Sequence, residues 1–484
     1  MVRQALRRQL SGNAGESARR IPAAGFREWP LAIRFLHRFI KASVILSDQD
    51  LADAMEGGSW RSRAISRCLV CPSLTKQTSQ EMHMYVPKTL VALIAAAALA
   101  PVDSASAQAL VKGGGASMPA SLYKGTTDNI LPAEFSYVVL GSGNGKRAFL
   151  NNEPALLQTT GTVHYAGSDA VLTSIELAAY NSTYNSYGSG NAYGPLIQIP
   201  VALAPIIVPF NKPGGVLDLT VSQLCGVFSG RITRWDQLPA GGRTGQITVV
   251  YRAESSGSSE ILTRFLTAAC QASDVSGTTL KSSGWGLVPS FSVQPTFANL
   301  FVGNTVPSNF MAAPGPGDVA LYNAVLTGDG RIGYTGPDVV ANLSDATKVA
   351  TVKGYSPAEV SLQATIETVS PPTGAAANDP ANWVPVFGNP SAGYPIVGLT
   401  NLIIGQCYQN RMVGNSLRRF LLTHYGSAQV GGVEQGRNDV AVRSHGFYPL
   451  PNSWRNAIRT RFALAGNAAG LNNPTVCNGI GRPL

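Results

Sequence analysis

Histidine and charged side chains are scarce in this sequence of 484 residues. Charged residues make up 13% of the chain, and five residues are histidine. No HExxH pattern occurs and no carboxylates cluster at metal-ligand spacing, which argues against a catalytic metal. The serine-rich run at 255–259 also lacks the GxSxG elbow of a serine hydrolase. The histidines are scattered and are interpreted as structural, with one of them near a candidate loop (His164); they are His37, His83, His164, His424 and His445.

The glycine-rich run GSGNG at 141–145 completes neither common nucleotide motif. Lys146 is followed by Arg147, where a Walker A motif needs Ser or Thr. No acidic residue follows at the distance that a dinucleotide-binding βαβ unit requires. A flexible loop is the simple alternative to a ligand-binding role for this run.

Long apolar runs are also missing after residue 109, where none reaches the roughly 18 residues of a membrane-spanning helix. Residues 84–109 instead have the pattern of a secretory signal. Lys88 precedes an apolar run over 90–102, and small residues at 105, 107 and 109 fit A-x-A cleavage. We therefore expect an exported mature protein that begins near Leu110.

About 80 residues precede this signal, although a signal peptide should begin a chain. They are rich in arginine, and residues 1–109 carry 14 Lys and Arg against 8 Asp and Glu, which is six of the ten formal positive charges. We predict that translation starts at Met82 or Met84 and that residues 1–83 are not part of the native protein; a basic arm or anchoring extension is the alternative. The high pI is therefore no argument for nucleic-acid binding.

The cysteines fall into two groups. Cys68 and Cys71 form a CxxC without a second pair, so we interpret them as incidental. The exported part contains an even number of cysteines, which in an oxidising compartment allows three disulfide pairings. These residues are Cys225, Cys270, Cys407 and Cys477.

The most informative stretch is VVYRAESSGSSEILTRFL at 249–266. Residues 249–251 favour a strand, and strand alternation would place Arg252 and Glu254 on one face, where the carboxylate can hold the guanidinium. Ser255–Ser259 and Gly257 then precede an apolar helical pattern. Free N–H groups at a helix start, serine hydroxyls and a fixed arginine would bind a tetrahedral oxyanion. An ordinary helix cap beside a surface arginine is the alternative.

Three earlier loops have a similar character. The glycine run at 113–115 leads to Ser117 and Met118, which are placed as donors before a helix. Ser142 lies in the turn of GSGNG, ahead of a helix from Ala148. Asp169 follows a strand, just before a Thr173/Glu176 capping box. Since a carboxylate only accepts hydrogen bonds, Asp169 would favour an anion that still carries a proton, as phosphate does and sulfate does not.

Taken in order, GGGASMP, GSGNG, HYAGSDAVLT and VVYRAESSGSSE resemble the ligand loops of the phosphate-binding proteins of ABC importers, and most closely their DING branch. Four further motifs extend the resemblance over essentially all of the chain after Ala109: LCGVFSGRITRWD, WVPVFG, GYPIVGLTNLI and VCNGIGRP. The resemblance implies an α/β fold of the type II periplasmic binding protein class, with two lobes joined by a two-crossing hinge. It also implies the disulfides Cys225–Cys270 and Cys407–Cys477.

Two nearly continuous apolar runs mark where the chain would cross between the lobes. Residues 196–210 are expected to form a strand buried on both faces and the first crossing, and residues 394–404 the second. Lobe 1 would then comprise 110–204 and 396–484, and lobe 2 would comprise 205–395. We expect helices over 216–228 in lobe 2 and near 416–425 and 451–464 in lobe 1.

The resemblance implies high-affinity binding of inorganic phosphate in the periplasm or outside the cell, in partnership with ABC importer membrane subunits. We expect a monomer without cofactor or nucleic-acid partner. A secreted DING-type alkaline phosphatase acting on phosphate monoesters is the alternative, and an extracellular adhesive or signalling protein would leave no readable mark in one sequence. The predicted ligand set comprises seven donors, the acceptor Asp169 and the supporting Glu254; the donors are Ser117, Met118, Ser142, Arg252, Ser256, Gly257 and Ser258.

Overall fold

A computed structural model describes residues 110–185, 192–238, 242–282, 288–430, 432–464 and 466–483. The upstream segment 1–83 and the predicted signal peptide 84–109, with the helix expected over its apolar run, lie outside these residues. Within the described ranges, no helix is both long enough and apolar enough to cross a membrane.

Strands and helices alternate from residue 111 to residue 205 and follow one another less regularly after it. The strands are β1 (Val111–Gly115), β2 (Phe135–Val139), β3 (Tyr165–Ser168), β4 (Leu196–Pro205), β5 (Phe210–Asn211), β6 (Asp218–Leu219), β7 (Thr248–Tyr251), β8 (Phe310–Ala312), β9 (Arg331–Ile332), β10 (Thr351–Val352), β11 (Val397–Gly405), β12 (Ser427–Val430), β13 (Val433–Gly436) and β14 (Tyr448–Pro449). The helices are α1 (Ala120–Lys124), α2 (Ser142–Leu150), α3 (Ser174–Thr183), α4 (Val221–Ser229), α5 (Gly257–Ala269), α6 (Asp318–Leu326), α7 (Glu359–Ile366), α8 (Arg411–His424), α9 (Asp439–Ser444) and α10 (Asn452–Ile458).

The larger sheet has six strands in the order β14-β4-β11-β3-β1-β2. Strand β1 pairs in parallel with β2 and β3, whereas β11 is antiparallel to both β3 and β4. Every residue of β4 and β11 is buried, which confirms the interpretation of their apolar sequences as strands covered on both faces. The first run ends as a strand at Pro205 rather than continuing to Phe210.

The smaller sheet has four strands in the order β5-β9-β7-β8, and β7 pairs in parallel with both of its neighbours. Strand β7 enters helix α5 through the turn that the sequence marks as central. Since the carboxyl end of a parallel strand and the start of the following helix lie at the same sheet edge, this topology places the turn where ligands bind in open α/β sheets.

The two segments that link the sheets run side by side. The N–H of Ile206 donates to the carbonyl of Ile396 at 2.8 Å, and the hydroxyl of Tyr394 donates to the carbonyl of Ile206 at 2.8 Å. This pairing of a chain segment after β4 with one before β11 agrees with the predicted two-crossing hinge. The lobe boundaries at 204/205 and 395/396 stay a prediction.

Both disulfides implied by the family resemblance are present. Cys225 of α4 is joined to Cys270 at the end of α5, with their Cα atoms 5.8 Å apart, and Cys407 is joined to Cys477, with Cα atoms 5.3 Å apart. The first bond ties two helices beside the smaller sheet, and the second ties the chain after β11 to the segment after residue 471.

Several helix bounds differ from the sequence-based expectation. Helix α2 begins at Ser142, so GSGNG is its first turn and not a loop ahead of a helix at Ala148. Gly145 makes this possible, because a Cβ there would lie 2.5 Å from the Cα of Gly115 in β1. Helix α4 begins at Val221 and not at 216, since the Thr220 hydroxyl caps it by accepting from the Gln223 N–H.

The C-terminal helices differ in a similar way. Helix α8 starts at Arg411, five residues before the expected start, because Asn410 caps it by accepting from the N–H of Met412. The expected helix over 451–464 is divided into α10 and a π-helical turn over Arg459–Ala463. The Thr173/Glu176 capping box is formed as predicted, and α3 follows it directly.

Candidate functional site

The central turn buries its arginine. Arg252 directly follows β7 and is 1% exposed, and its Nε donates to Oε1 of Glu254 at 2.5 Å. Arg252 and Glu254 therefore form the pair that strand alternation predicts. The N–H of Gly317 also donates to the same carboxylate oxygen at 2.9 Å. Although burial opposes it, Arg252 and this N–H lower the pKa of Glu254 below its usual value.

A second carboxylate, which the sequence reasoning missed, holds the other side of the arginine. Asp318 is 3% exposed, and its Oδ1 accepts from Nη1 of Arg252 at 2.8 Å and from the hydroxyl of Ser258 at 3.1 Å. It is the first residue of α6, directly after the run PGPG. That glycine- and proline-rich run followed by an apolar helix was the signal that could have located a helix start at the site.

The predicted residues from the first part of the chain lie against this arginine. Nη2 of Arg252 donates to the hydroxyl of Ser117 at 3.1 Å. Met118 is 2% exposed and packs against the backbone at Gly336, where a Cβ would lie 2.2 Å from the Met118 Cγ. The loop after β1 is therefore brought to the end of β7, although the two belong to different sheets.

Asp169 and Ser142 together contact Gly257, which is a second contact between the loops of the two sheets. The hydroxyl of Ser142 accepts from the backbone N–H of Asp169 at 3.0 Å. A Cβ at Gly257 would lie 2.4 Å from the Cβ of Asp169 and 2.6 Å from the hydroxyl oxygen of Ser142. Position 257 therefore requires glycine for close approach, as the sequence predicts for this turn.

Asp169 is the most perturbed acid of the site. It is 2% exposed, and its Oδ1 has no hydrogen-bond partner among the described residues. The pKa of Asp169 is raised to about 8, mainly by burial and also by the charge of Asp318, against the lowering effects of a hydrogen bond with Thr400 and of the Arg252 charge. A buried carboxyl with an open acceptor oxygen can receive a proton from a ligand, or hold one itself.

Three helices of at least nine residues begin at this site. Helix α2 begins at Ser142, α5 at Gly257 and α6 at Asp318. The hydroxyl of Ser256 caps α5 by accepting from the N–H of Ser259 at 3.4 Å. Since the positive ends of the helix dipoles meet in one place, they attract an anion there even though two carboxylates outnumber the single arginine.

The structure thus brings together all nine residues predicted for the site. Those that are buried are Met118, Ser142, Asp169, Arg252, Ser256, Gly257 and Ser258, and those of intermediate exposure are Ser117 and Glu254. Within the described part of the chain, no group of three or more His, Cys, Asp or Glu side chains is placed to hold a metal ion.

The histidine nearest to a candidate loop has a structural contact. Nδ1 of His164 accepts from the backbone N–H of Lys112 at 2.9 Å, and burial together with Arg482 and Lys112 lowers its pKa to about 3. His164 is therefore neutral at physiological pH, and its Nδ1 is engaged in joining β1 to the start of β3.

Comparison with known proteins agrees with the class that this fold and site define, a two-sheet binding protein with an anion site at helix starts. Residues 102–421 match the family model described as a PBP superfamily domain. A structure of a phosphate-binding protein from Stenotrophomonas maltophilia is 64% identical, with a TM-score of 0.74, and the match covers 77% of this chain and 99% of that one. A high-affinity periplasmic phosphate-binding protein of the DING type, solved with phosphate bound, is 41% identical with a TM-score of 0.68 and the same coverage.

Relatives found by sequence comparison are named either as alkaline phosphatases or as phosphate-binding proteins. Alkaline phosphatase L of Pseudomonas aeruginosa is 43% identical over 395 residues, which cover 80% of this chain and 98% of that protein. A phosphate-binding protein from an unknown prokaryotic organism is 41% identical over 402 residues, covering 77% of this chain and all of that protein. The chain belongs to the PBP superfamily and, within it, to the DING-type phosphate-binding proteins.

Proposed function

We propose that this protein binds inorganic phosphate at the site formed by Ser117, Met118, Ser142, Asp169, Arg252 and Ser256–Ser258. The observation that carries the proposal is the buried acceptor Asp169, placed against the helix start that contains the serines and close to an arginine. Donors surround the place of an oxyanion, and one acceptor requires that this anion carry a proton. Phosphate meets both conditions near neutral pH, whereas sulfate has no proton to donate.

Two carboxylates hold Arg252 in this proposal. Glu254 and Asp318 bond to Nε and Nη1, which leaves the Nη2 edge, bonded to Ser117, toward the loops of the other sheet. Because the charge of the arginine is already balanced, discrimination comes from fixed hydrogen-bond directions more than from net charge. Selectivity of this kind suits a receptor that must retain phosphate among other anions.

We further propose that the protein acts after export, in the periplasm or outside the cell, and delivers phosphate to the membrane subunits of an ABC importer. Two disulfides suit an oxidising compartment. A similar protein of known structure is described as periplasmic, which supports the same location.

A phosphomonoesterase is the second candidate because a relative with 43% identity is named alkaline phosphatase L. Such an enzyme needs a base beside a nucleophile or a metal that activates water. Ser258 donates to the carboxylate of Asp318 at 3.1 Å, and His164 is neutral and bonded to Lys112. Oδ1 of Asp318, the carboxylate oxygen beside Ser258, also accepts from Nη1 of Arg252 at 2.8 Å. Because this oxygen is engaged in an ion pair and His164 bonds to no serine in the described part of the chain, the arrangement favours a binding role for the same residues.

Isothermal titration calorimetry of the chain from Leu110 with phosphate and with sulfate would test the main proposal. We expect one phosphate per chain and much weaker binding of sulfate. Hydrolysis of a chromogenic phosphate ester would be followed on the same preparation. Ester turnover that persists at constant specific activity and is lost in Ser258→Ala would favour the phosphatase, and an absence of phosphate binding would overturn the receptor.

A further inference from the structure

A second polar cavity lies away from the phosphate site. It is a groove of about 830 Å³ between the first half of α8 and the chain segment over 472–480. Its lining contains no Asp or Glu. The hydrogen-bonding side chains that define this groove are Gln409, Arg411, Asn415, Arg418, Asn472 and Asn478.

Three of these side chains form a stripe along one face of α8. Arg411, Asn415 and Arg418 are spaced i, i+4 and i+7, which places them above one another on a helix. At 1.5 Å per residue, the Cα atoms of the two arginines lie about 10 Å apart along the axis. The stripe therefore presents two separated cations with an amide between them.

The groove arginines have spare donors. Arg411 is exposed and forms no ion pair within the described ranges. Nη2 of Arg418 donates to the carbonyl of Leu471, while its Nε is buried and has no partner among the described residues. By contrast Arg419, one position further, is paired with Glu134 at 2.9 Å. The donors open to a ligand are therefore the guanidinium of the exposed Arg411 and the N–H groups of Arg418 other than its buried Nε.

The opposite wall of the groove is held rigidly. The Cys407–Cys477 disulfide fixes it at one end, and the N–H of Tyr408 donates to Oδ1 of Asn472 at 2.9 Å. Further along, Arg482 is fully buried and donates to the carbonyls of Phe149 and Val163 at 2.6 and 2.9 Å. Because both walls are ordered beforehand, a ligand would bind with little loss of conformational entropy.

The charge of the surrounding chain has the same sign as the groove. Residues 401–484 contain nine arginines, no lysine and two acidic residues, Glu434 and Asp439. Asp439 is bonded to Arg455 at 3.1 Å, so it is already occupied. The local potential therefore favours an anion over a cation or a neutral ligand.

We propose that this groove is a second anion-binding site, separate from the phosphate site, for an extended ligand carrying at least two oxyanionic groups. The two arginines bind the separated anionic groups, and the amides of Gln409, Asn415, Asn472 and Asn478 bond to the oxygens between them. A condensed phosphate chain and a tricarboxylate share this chemistry. Single inorganic phosphate is too small to span the two arginines.

The test uses the mature chain with its phosphate site saturated by inorganic phosphate, so that added ligand reports on the groove. Titration calorimetry with tripolyphosphate, and separately with citrate, is expected to show one ligand per chain for at least one of them. A preference for tripolyphosphate would assign a condensed phosphate, and a preference for citrate a polycarboxylate. Binding of neither ligand would overturn the proposal.

Substitutions of the groove arginines would show whether the ligand binds in the groove. Arg411→Gln, on the exposed helix surface, should weaken binding of the preferred ligand by at least about tenfold, because a charge-assisted bond is lost. Arg411→Gln/Arg418→Gln should abolish it while leaving affinity for inorganic phosphate unchanged. Arg437→Gln is the matched control, an exposed arginine of the same basic region outside the groove. An equal loss in Arg437→Gln, or no loss in Arg411→Gln, would show diffuse attraction and refute a built site.

Discussion

Arginines are used in opposite ways in the two anion sites that we propose for this chain. At the phosphate site Arg252 is 1% exposed and carries two carboxylates, Glu254 and Asp318, at 2.5 and 2.8 Å. In the groove beside α8, Arg411 and Arg418 have no carboxylate partner in the described chain. In the first arrangement the arginine is paired with carboxylates in a fixed geometry, whereas in the second two unpaired cations lie along an open face. We therefore expect selectivity from the first and sensitivity to salt from the second.

The largest effect on stability and on phosphate binding should come from removing the buried, paired arginine, Arg252. Arg252→Met would leave Asp318 buried without its cation, which typically destabilises a protein by about 3 to 5 kcal/mol, and should abolish phosphate binding. Thermal unfolding and calorimetry would measure both. The double variant Arg252→Met/Asp318→Asn should recover part of the stability and none of the affinity.

Arg147→Met is the matched control, since Arg147 is paired with Glu153 but its side chain is 58% exposed. We expect little change in stability there, because solvent screens an exposed ion pair. A loss as large as that of Arg252→Met would contradict the distinction between buried and exposed pairs.

Removing the disulfide of the groove wall should change ligand binding in the groove without changing anion selectivity at the phosphate site. Cys407→Ser/Cys477→Ser is expected to lower the free energy of unfolding by about 2 to 5 kcal/mol. Groove binding should weaken because its wall loosens, while the preference for phosphate over sulfate should persist. Cys225→Ser/Cys270→Ser is the control that removes a disulfide away from the groove. If both pairs affected groove binding equally, the disulfide would have no local role.

The buried acid should make the ligand-free protein lose stability as pH rises. Asp169 has a folded pKa of about 8, above its ordinary value of 3.8. A raised pKa contributes stability that is complete below pH 3.8 and is lost as the pH rises towards 8, with a slope of up to about 1.4 kcal/mol per pH unit. Denaturant unfolding from pH 4 to 8 would measure this, and Asp169→Asn should flatten the profile. A profile equally steep in the variant would assign the dependence to other groups.

The same substitution should relax selectivity. Asp169→Asn replaces a group that can accept from protonated phosphate in its ionised form by an amide that always carries donors, so phosphate binding should weaken by about 1 to 3 kcal/mol and sulfate binding should improve. Competition calorimetry of the two anions would measure the ratio. An unchanged ratio would remove Asp169 from the role of selectivity element.

The smallest expected effect is a difference between the two sites in how strongly binding depends on salt. Raising ionic strength should weaken ligand binding in the open groove several-fold, because exposed charges are screened over about 10 Å at 0.1 M salt. Phosphate affinity at the buried site should change much less. The two titrations can be made on one preparation. Equal salt dependence would contradict the distinction between a buried site with a paired arginine and an open groove with unpaired arginines.

Much of the arrangement around the candidate site could be predicted from the sequence because its main parts are local. Arg252 and Glu254 are two residues apart directly after β7, and Thr173 caps α3 through Glu176 three residues later. Alternation and capping act over such distances, so they can be read from a short window. The resemblance to a known family supplied the disulfide pairing that spacing alone left open.

The parts that were missed depend on distant packing. Asp318 is 66 residues from the arginine that it holds, and nothing in a glycine- and proline-rich run specifies that distance. The early start of α2 depends on the close contact of its Gly145 with Gly115 of strand β1. A sequence window carries no information on which elements become neighbours, so neither result follows from local rules.

The position of β11 also sets an order of assembly. This strand lies between β3 and β4 in the sheet, yet it begins at Val397, long after β4 ends at Pro205. A chain that emerges from its N-terminus onwards exposes the apolar edges of β3 and β4 until residue 405 has followed. The smaller sheet needs no strand beyond Ile332, so it can be complete while the larger one still waits for its inner strand. Such long-range pairing is intrinsically slow, and the unpaired edges would be the part of the newly made chain most prone to aggregation.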